Sequence, residues 1–143
     1  MDSSIIVIDD EQDFLDSVKR GLIISGFRNV QLEIDPRKAA ARFEQGEAFD
    51  IALIDVTTPF INGMGLLELI KKTSPETECI MVTAMNDAKV AVQCMKKGAY
   101  DYLLKPISRD ELVLTIKNAL EKKRHRTSKR EKLPNNEDCP EKT

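Results

Sequence analysis

Short apolar runs alternate with longer stretches of spaced apolar residues five times along the chain. Residues 4–8 (Ser-Ile-Ile-Val-Ile) are β-branched, the composition of a central buried strand, and end in Asp9-Asp10-Glu11. Over 12–24, Phe14, Leu15, Val18 and Leu22 fall at helical spacing, and Gly26 is a stop signal. A second strand is predicted at 29–34, and Asp35-Pro36 reads as an N-cap followed by proline at the first helical position. Ala39, Ala40 and Phe43 form the inner face of that helix, which ends by Gly46. Four apolar residues, 51–54, run into Asp55, and Pro59 follows four positions on, as a buried strand does when it delivers one carboxylate before a loop.

After Asn62-Gly63 a helix carries Leu66, Leu67 and Ile70, and Pro75 closes that unit. A fourth strand at 79–82 ends in Thr83-Ala84, and a helix at 87–97 has Val90, Ala91, Cys94 and Met95 as its apolar face. A fifth strand at 100–104 ends in Lys105-Pro106, and a last helix at 110–123 carries Leu112, Val113, Ile116, Ala119 and Leu120. Strict alternation of short apolar strands with helices predicts an α/β fold, a parallel sheet covered on both faces. Right-handed crossovers favour a doubly wound five-stranded sheet in the order 2-1-3-4-5, of the flavodoxin-like kind, with ligands beyond the carboxyl ends of its strands.

Composition adds limits. A chain of 143 residues fits one domain, taken as 1–123, with 124–143 expected to be a disordered basic and polar tail or a linker cut short before an effector domain. Three cysteines at no metal-ligand spacing, Cys79, Cys94 and Cys139, read as reduced thiols, the first two in the core with Met81 and Met95. No apolar run is long enough to cross a membrane or to serve as a signal segment, so a cytoplasmic protein is expected. The net charge of −2 hides an asymmetry: residues 1–120 hold 14 Lys or Arg against 19 Asp or Glu, and the remainder holds 8 against 5. The basic run 122–132 lacks interleaved aromatics and is expected to be a solvated helix end, with no direct nucleic-acid contact.

The predicted topology brings Asp9, Asp10, Asp55, Thr83 and Lys105 to one sheet edge. Converging carboxylates repel, and burial pushes at least one towards protonation unless a cation is present. Lys105 supplies one cation; a hard divalent ion, which takes oxygen ligands and keeps room for phosphate oxygens, would supply another. Acids, one lysine and one hydroxyl around a small site suit a phosphoryl group.

With those residues, Pro59 after Asp55, Thr83-Ala84, and the run Gly98-Ala99-Tyr100-Asp101-Tyr102-Leu103-Leu104-Lys105-Pro106, the chain resembles the receiver domains of two-component response regulators over residues 4 to 123. The resemblance implies that Asp55 accepts a phosphoryl group from a phosphohistidine on a sensor histidine kinase or phosphotransfer protein. It implies Mg²⁺ bound directly by Asp10, Asp55 and the backbone carbonyl of Thr57, with Asp9 acting mainly through water. Lys105 would pair with the phosphoryl group, its bond to Pro106 being a candidate cis peptide. Thr83 and Tyr102 correspond to the switch pair that reshapes the face made by helix 4, strand 5 and helix 5. That face would meet a downstream protein target or a second copy of the chain. Such a domain is a switch, not an enzyme acting on other molecules.

Three positions depart from the family pattern or tune it. Thr58 stands where the family often has an apolar residue. Thr57 and Met85 occupy the positions that set dephosphorylation, and since Met85 cannot orient water and Thr57 does so poorly, a long-lived phosphorylated state is expected. A Mg²⁺-dependent phosphohydrolase of the haloacid-dehalogenase kind also uses an aspartate after a parallel strand, but it needs an acid two residues on, where Thr57 stands. Glu11 and Asp13 are read as favouring the start of the first helix.

Overall fold

The computed structural model describes residues 2–57 and 62–132, with 125–132 as helical backbone. Five strands, β1 (Ser4–Ile8), β2 (Asn29–Glu33), β3 (Ile51–Ile54), β4 (Glu78–Thr83) and β5 (Asp101–Leu104), form one parallel sheet in the order β2-β1-β3-β4-β5. They alternate with α1 (Gln12–Ile24), α2 (Pro36–Glu44), α3 (Gly63–Thr73), α4 (Ala88–Lys96) and α5 (Arg109–Lys132). This is the expected doubly wound topology.

Strand periodicity divides the core. Ile5 and Val7 of β1, Ile51 and Leu53 of β3, and Ile80 and Val82 of β4 face α1 and α5, whereas Ile6, Ile8, Ala52, Ile54, Cys79 and Met81 face α2, α3 and α4. A strand buried on both faces has no polar side, which is why β3 and residues 79–82 of β4 read as apolar runs. Burying a side chain such as Leu67 or Ile70 stabilises by about 1.5–3 kcal/mol, and truncation to Ala costs about 2–5 kcal/mol.

Local signals act as the sequence indicates. Asp35 caps α2 through Arg37 N with Pro36 next in line, Asn62 caps α3 through Gly65 N at 2.8 Å, and Asp87 caps α4 through Lys89 N and Val90 N. Burial pushes the Cys79 thiol up to about 12.

Two expectations are corrected. Met95 is 44% exposed, and Cys94 is the one fully buried residue of α4, because this nine-residue helix rests on the sheet along a narrow line. The last helix does not stop at Lys123 but continues to Lys132. Residues 121–132 hold neither Gly nor Pro and are mostly Lys, Arg and Glu, good helix formers whose positive charge suits a helix C-terminus. The rest of the expected tail, 133–143, lies outside the described residues, as does Thr58.

Candidate functional site at the carboxyl edge of the sheet

Sheet register builds the site. Ile8 lies opposite Ile54, so the next residues, Asp9 and Asp55, leave adjacent strands at the same level, and Asp55 N donates to Ile8 O at 3.2 Å. Thr83 ends β4 opposite Leu104 of β5, and Lys105 N donates to Thr83 O at 2.8 Å. Parallel strands thereby deliver four polar side chains from distant sequence positions to one edge. Asp9, Asp55 and Thr83 are buried and Asp10 is exposed. The Lys105–Pro106 bond is cis.

Lys105 Nζ donates to Asp9 Oδ2 at 2.7 Å and to Asp55 Oδ2 at 3.2 Å. The other carboxylate oxygen of Asp55, Oδ1, accepts from both Thr57 N and Thr57 Oγ1 at 3.0 Å. Burial alone raises the Asp55 carboxyl, but the Thr57 amide, the Thr83 hydroxyl and the Lys105 ammonium together outweigh it and hold Asp55 below the ordinary carboxylate range. At Asp9 burial prevails: with Lys105 and the Glu11 amide acting against it, the carboxyl still stands above its ordinary value. Burial lowers the Lys105 ammonium, yet the hydrogen bond and charge of Asp9, followed by those of Asp55, raise it on balance. The neighbouring carboxylates therefore differ: Asp55 is poised as an anion and Asp9 holds its proton more tightly.

One carboxylate oxygen from each of Asp9, Asp10 and Asp55 lies within 4.8 Å of the others. Oxygen donors at that spacing fit a hard divalent cation, and their charge leaves room for one beside Lys105.

The two other predicted residues meet through a third. Thr83 Oγ1 accepts from Met85 N at 3.2 Å, and the Tyr102 hydroxyl donates to Met85 O at 2.7 Å. The peptide groups flanking Met85 thus tie both side chains to one stretch of backbone. Burial, reinforced by Cys94, Asp87 and Asp55, raises the Tyr102 phenol above its ordinary value and keeps it a donor.

Three residues joined the site without being singled out for it. Phe14, expected on the apolar face of α1, places its ring 4.1 Å from Lys105 Nζ, a cation–π contact. Glu11 stands at the N-cap of α1 without a side-chain capping bond, and its carboxylate lies 3.5 Å from Lys105 Nζ. Gly63, part of an expected loop signal, opens α3 directly against Asp55. Spacing within the sequence carried no sign of these contacts, which depend on how α1 and α3 lean on the sheet.

Comparison with known proteins gives a consistent picture. Residues 5–117 match the response regulator receiver domain family. The chain is 32% identical over 121 residues to the C4-dicarboxylate transport transcriptional regulatory protein DctD of Rhizobium meliloti, covering 85% of this chain and 26% of that protein. It is 30% identical over 117 residues to a cyclic di-GMP phosphodiesterase of Thermotoga maritima, covering 82% of this chain and 31% of that protein. The chain therefore spans about a quarter to a third of these curated relatives. A crystal structure of a CheY-like response regulator receiver domain protein from Methanospirillum hungatei superposes with a TM-score of 0.83 at 30% identity, over 88% of this chain and 99% of that one.

Proposed function

Because the chain belongs to the response regulator receiver domain family, we propose that Asp55 is its phosphoacceptor and that phosphorylation there operates a binding switch. The observation that carries this reading is the convergence of Asp9, Asp10 and Asp55 with Lys105 bridging two of them. A carboxylate oxygen of Asp55 attacks the phosphorus of a phosphohistidine on a partner kinase or phosphotransfer protein. The O–P bond forms as the N–P bond breaks, and the imidazole nitrogen leaves with the bond's electron pair. The depressed Asp55 carboxyl supplies the required anion. Lys105, already 3.2 Å from Asp55, pairs with an oxygen of the arriving group.

Mg²⁺, with Asp9, Asp10, Asp55 and the Thr57 carbonyl as its candidate holders, would draw charge off the phosphoryl oxygens. Phosphorylation adds strong acceptors and close to two negative charges. The Thr83 hydroxyl turns to one of the new oxygens and gives up the Met85 amide. Loosening Met85 also loosens the carbonyl that holds Tyr102, so the change reaches the face of α4, β5 and α5. That face, with Val92, Met95 and Leu104 exposed, is where a downstream protein, an effector domain or a second copy would bind. A cytoplasmic location is consistent with the absence, among the described residues, of a helix long and apolar enough to cross a membrane.

The phosphohydrolase alternative lacks support: Thr57 occupies the position of its second acid, and family and fold relatives are receiver domains. The test is mass spectrometry after incubation with acetyl phosphate and Mg²⁺. The expected result is one stable phosphoryl increment, absent in Asp55→Asn. Uptake on one residue at an unchanged rate in that variant would overturn the assignment.

A further inference from the structure

Gly63 lies against the peptide of Asp55. A Cβ built at Gly63 falls 2.3 Å from the Asp55 carbonyl oxygen, 2.6 Å from Val56 Cα and 2.9 Å from the Asp55 carbonyl carbon. All three are backbone atoms, so no change of rotamer relieves the overlap. Gly21 differs, because its nearest neighbours are atoms of the flexible Arg109 side chain at 3.3 Å, and Gly46 has nothing within 4 Å. The positive-φ glycines are Gly26, Gly46 and Gly98, so the demand at Gly63 is for space and not for an unusual backbone conformation.

The close approach is fastened as well. Gly63 N donates to Val56 O at 2.9 Å, and on the other side Thr57 N and Oγ1 both donate to Asp55 Oδ1. Residues 55–57 are gripped between the start of α3 and their own turn. Any side chain at position 63 pushes the Asp55 peptide, and with it the carboxylate and the Thr57 carbonyl.

We propose that Gly63 is a positioning residue for phosphoryl transfer: the missing side chain sets where the Asp55 carboxylate and the Thr57 carbonyl stand relative to Asp9 and Asp10. This rests on Asp55 being the phosphoacceptor. Oxygens that must surround one small hard cation tolerate little displacement, and residues supporting metal ligands typically affect affinity by about 10- to 100-fold.

The experiment compares Gly63→Ala with Asn62→Ala, which removes the cap of the same helix without entering the space beside Asp55. Mg²⁺ affinity of the unphosphorylated protein is measured by calorimetry, and the rate of labelling by acetyl phosphate by mass spectrometry, with Asp55→Asn run in parallel. Gly63→Ala is expected to bind Mg²⁺ about tenfold more weakly and to label correspondingly more slowly at limiting Mg²⁺. Asn62→Ala is expected to stay near wild type in both. Wild-type affinity and rate in Gly63→Ala, beside an inert Asp55→Asn, overturn this proposal alone, as does an equal loss in both helix-end variants. Phosphoryl uptake by Asp55→Asn overturns the phosphoacceptor reading and this proposal together. Should Gly63→Ala fail to fold, hydrogen exchange in the wild type decides. The Gly63 amide is expected to exchange several-fold more slowly with saturating Mg²⁺, and an unchanged rate overturns the proposal.

Discussion

Lys105 and Asp55, 50 residues apart in the sequence, meet at 3.2 Å, and the same ammonium lies 2.7 Å from Asp9. One cation holds together two buried acids that would otherwise repel. Lys105→Met removes it and leaves both carboxylates without their shared cation. Breaking a buried charge pair typically costs about 3–5 kcal/mol, and the site's opening beside exposed Asp10 places the expected loss near the low end. Urea unfolding at pH 7 measures it, and millimolar Mg²⁺ is expected to recover more stability in this variant than in wild type, since a second cation then supplies the missing charge.

Acid should expose the contribution of Asp55. Its folded carboxyl lies below the ordinary value of 3.8, so between the two pKa values the unfolded chain binds the proton that the folded one refuses. The contribution is complete above the unfolded value and is lost as pH falls through the folded one. Asp9 is shifted the opposite way, so its protonation relieves the folded state as the pH drops. Asp55→Asn is therefore expected to lose less stability than wild type on titration below about pH 4. An equally steep acid limb in both proteins, followed by denaturant midpoint, would count against the depressed Asp55 carboxyl.

The lifetime of the phosphorylated form should depend on Met85 and Thr57. Thr57 Oγ1 is committed to Asp55 Oδ1, and Met85 has no side-chain group able to direct a water molecule. Met85→Gln introduces an amide at the site and is expected to shorten the half-life by about tenfold, within the range that a positioned polar group contributes. Loss of the phosphoryl increment over time measures it. A wild-type half-life of seconds, or no change on substitution, would sink the explanation.

Much of this could be read from the sequence because strand and chemistry share a signal. Residues 51–54 announce β3 by being apolar, and Asp55 stands out because it interrupts them. The same holds for Asp9 after β1 and Thr83 at the end of β4. Contacts that depend on tertiary geometry were invisible. Phe14 reads as core because an aromatic at helical spacing does so, and only the packing of α1 brings its ring beneath Lys105. Asn62-Gly63 reads as a turn, and nothing local reveals that the glycine meets the Asp55 carbonyl. The exposure of Met95 went unread for a related reason. Periodicity locates the inner side of a helix but not how far that side is covered, and on α4 Cys94 is fully buried while Val90 is only partly so.

Far from the acids, Asp50 binds Ser4 N at 2.9 Å and pairs with Lys123 of α5 at 3.1 Å, where β1 and β3 begin. The four-residue strand β3 separates that anchor from Asp55, so the domain has a chemical pole and a mechanical pole. Lys123 of α5 and Asp55 therefore stand at opposite ends of β3. A displacement of the sheet and its helices would couple the two poles, like the throw of a lever whose handle and load stand apart.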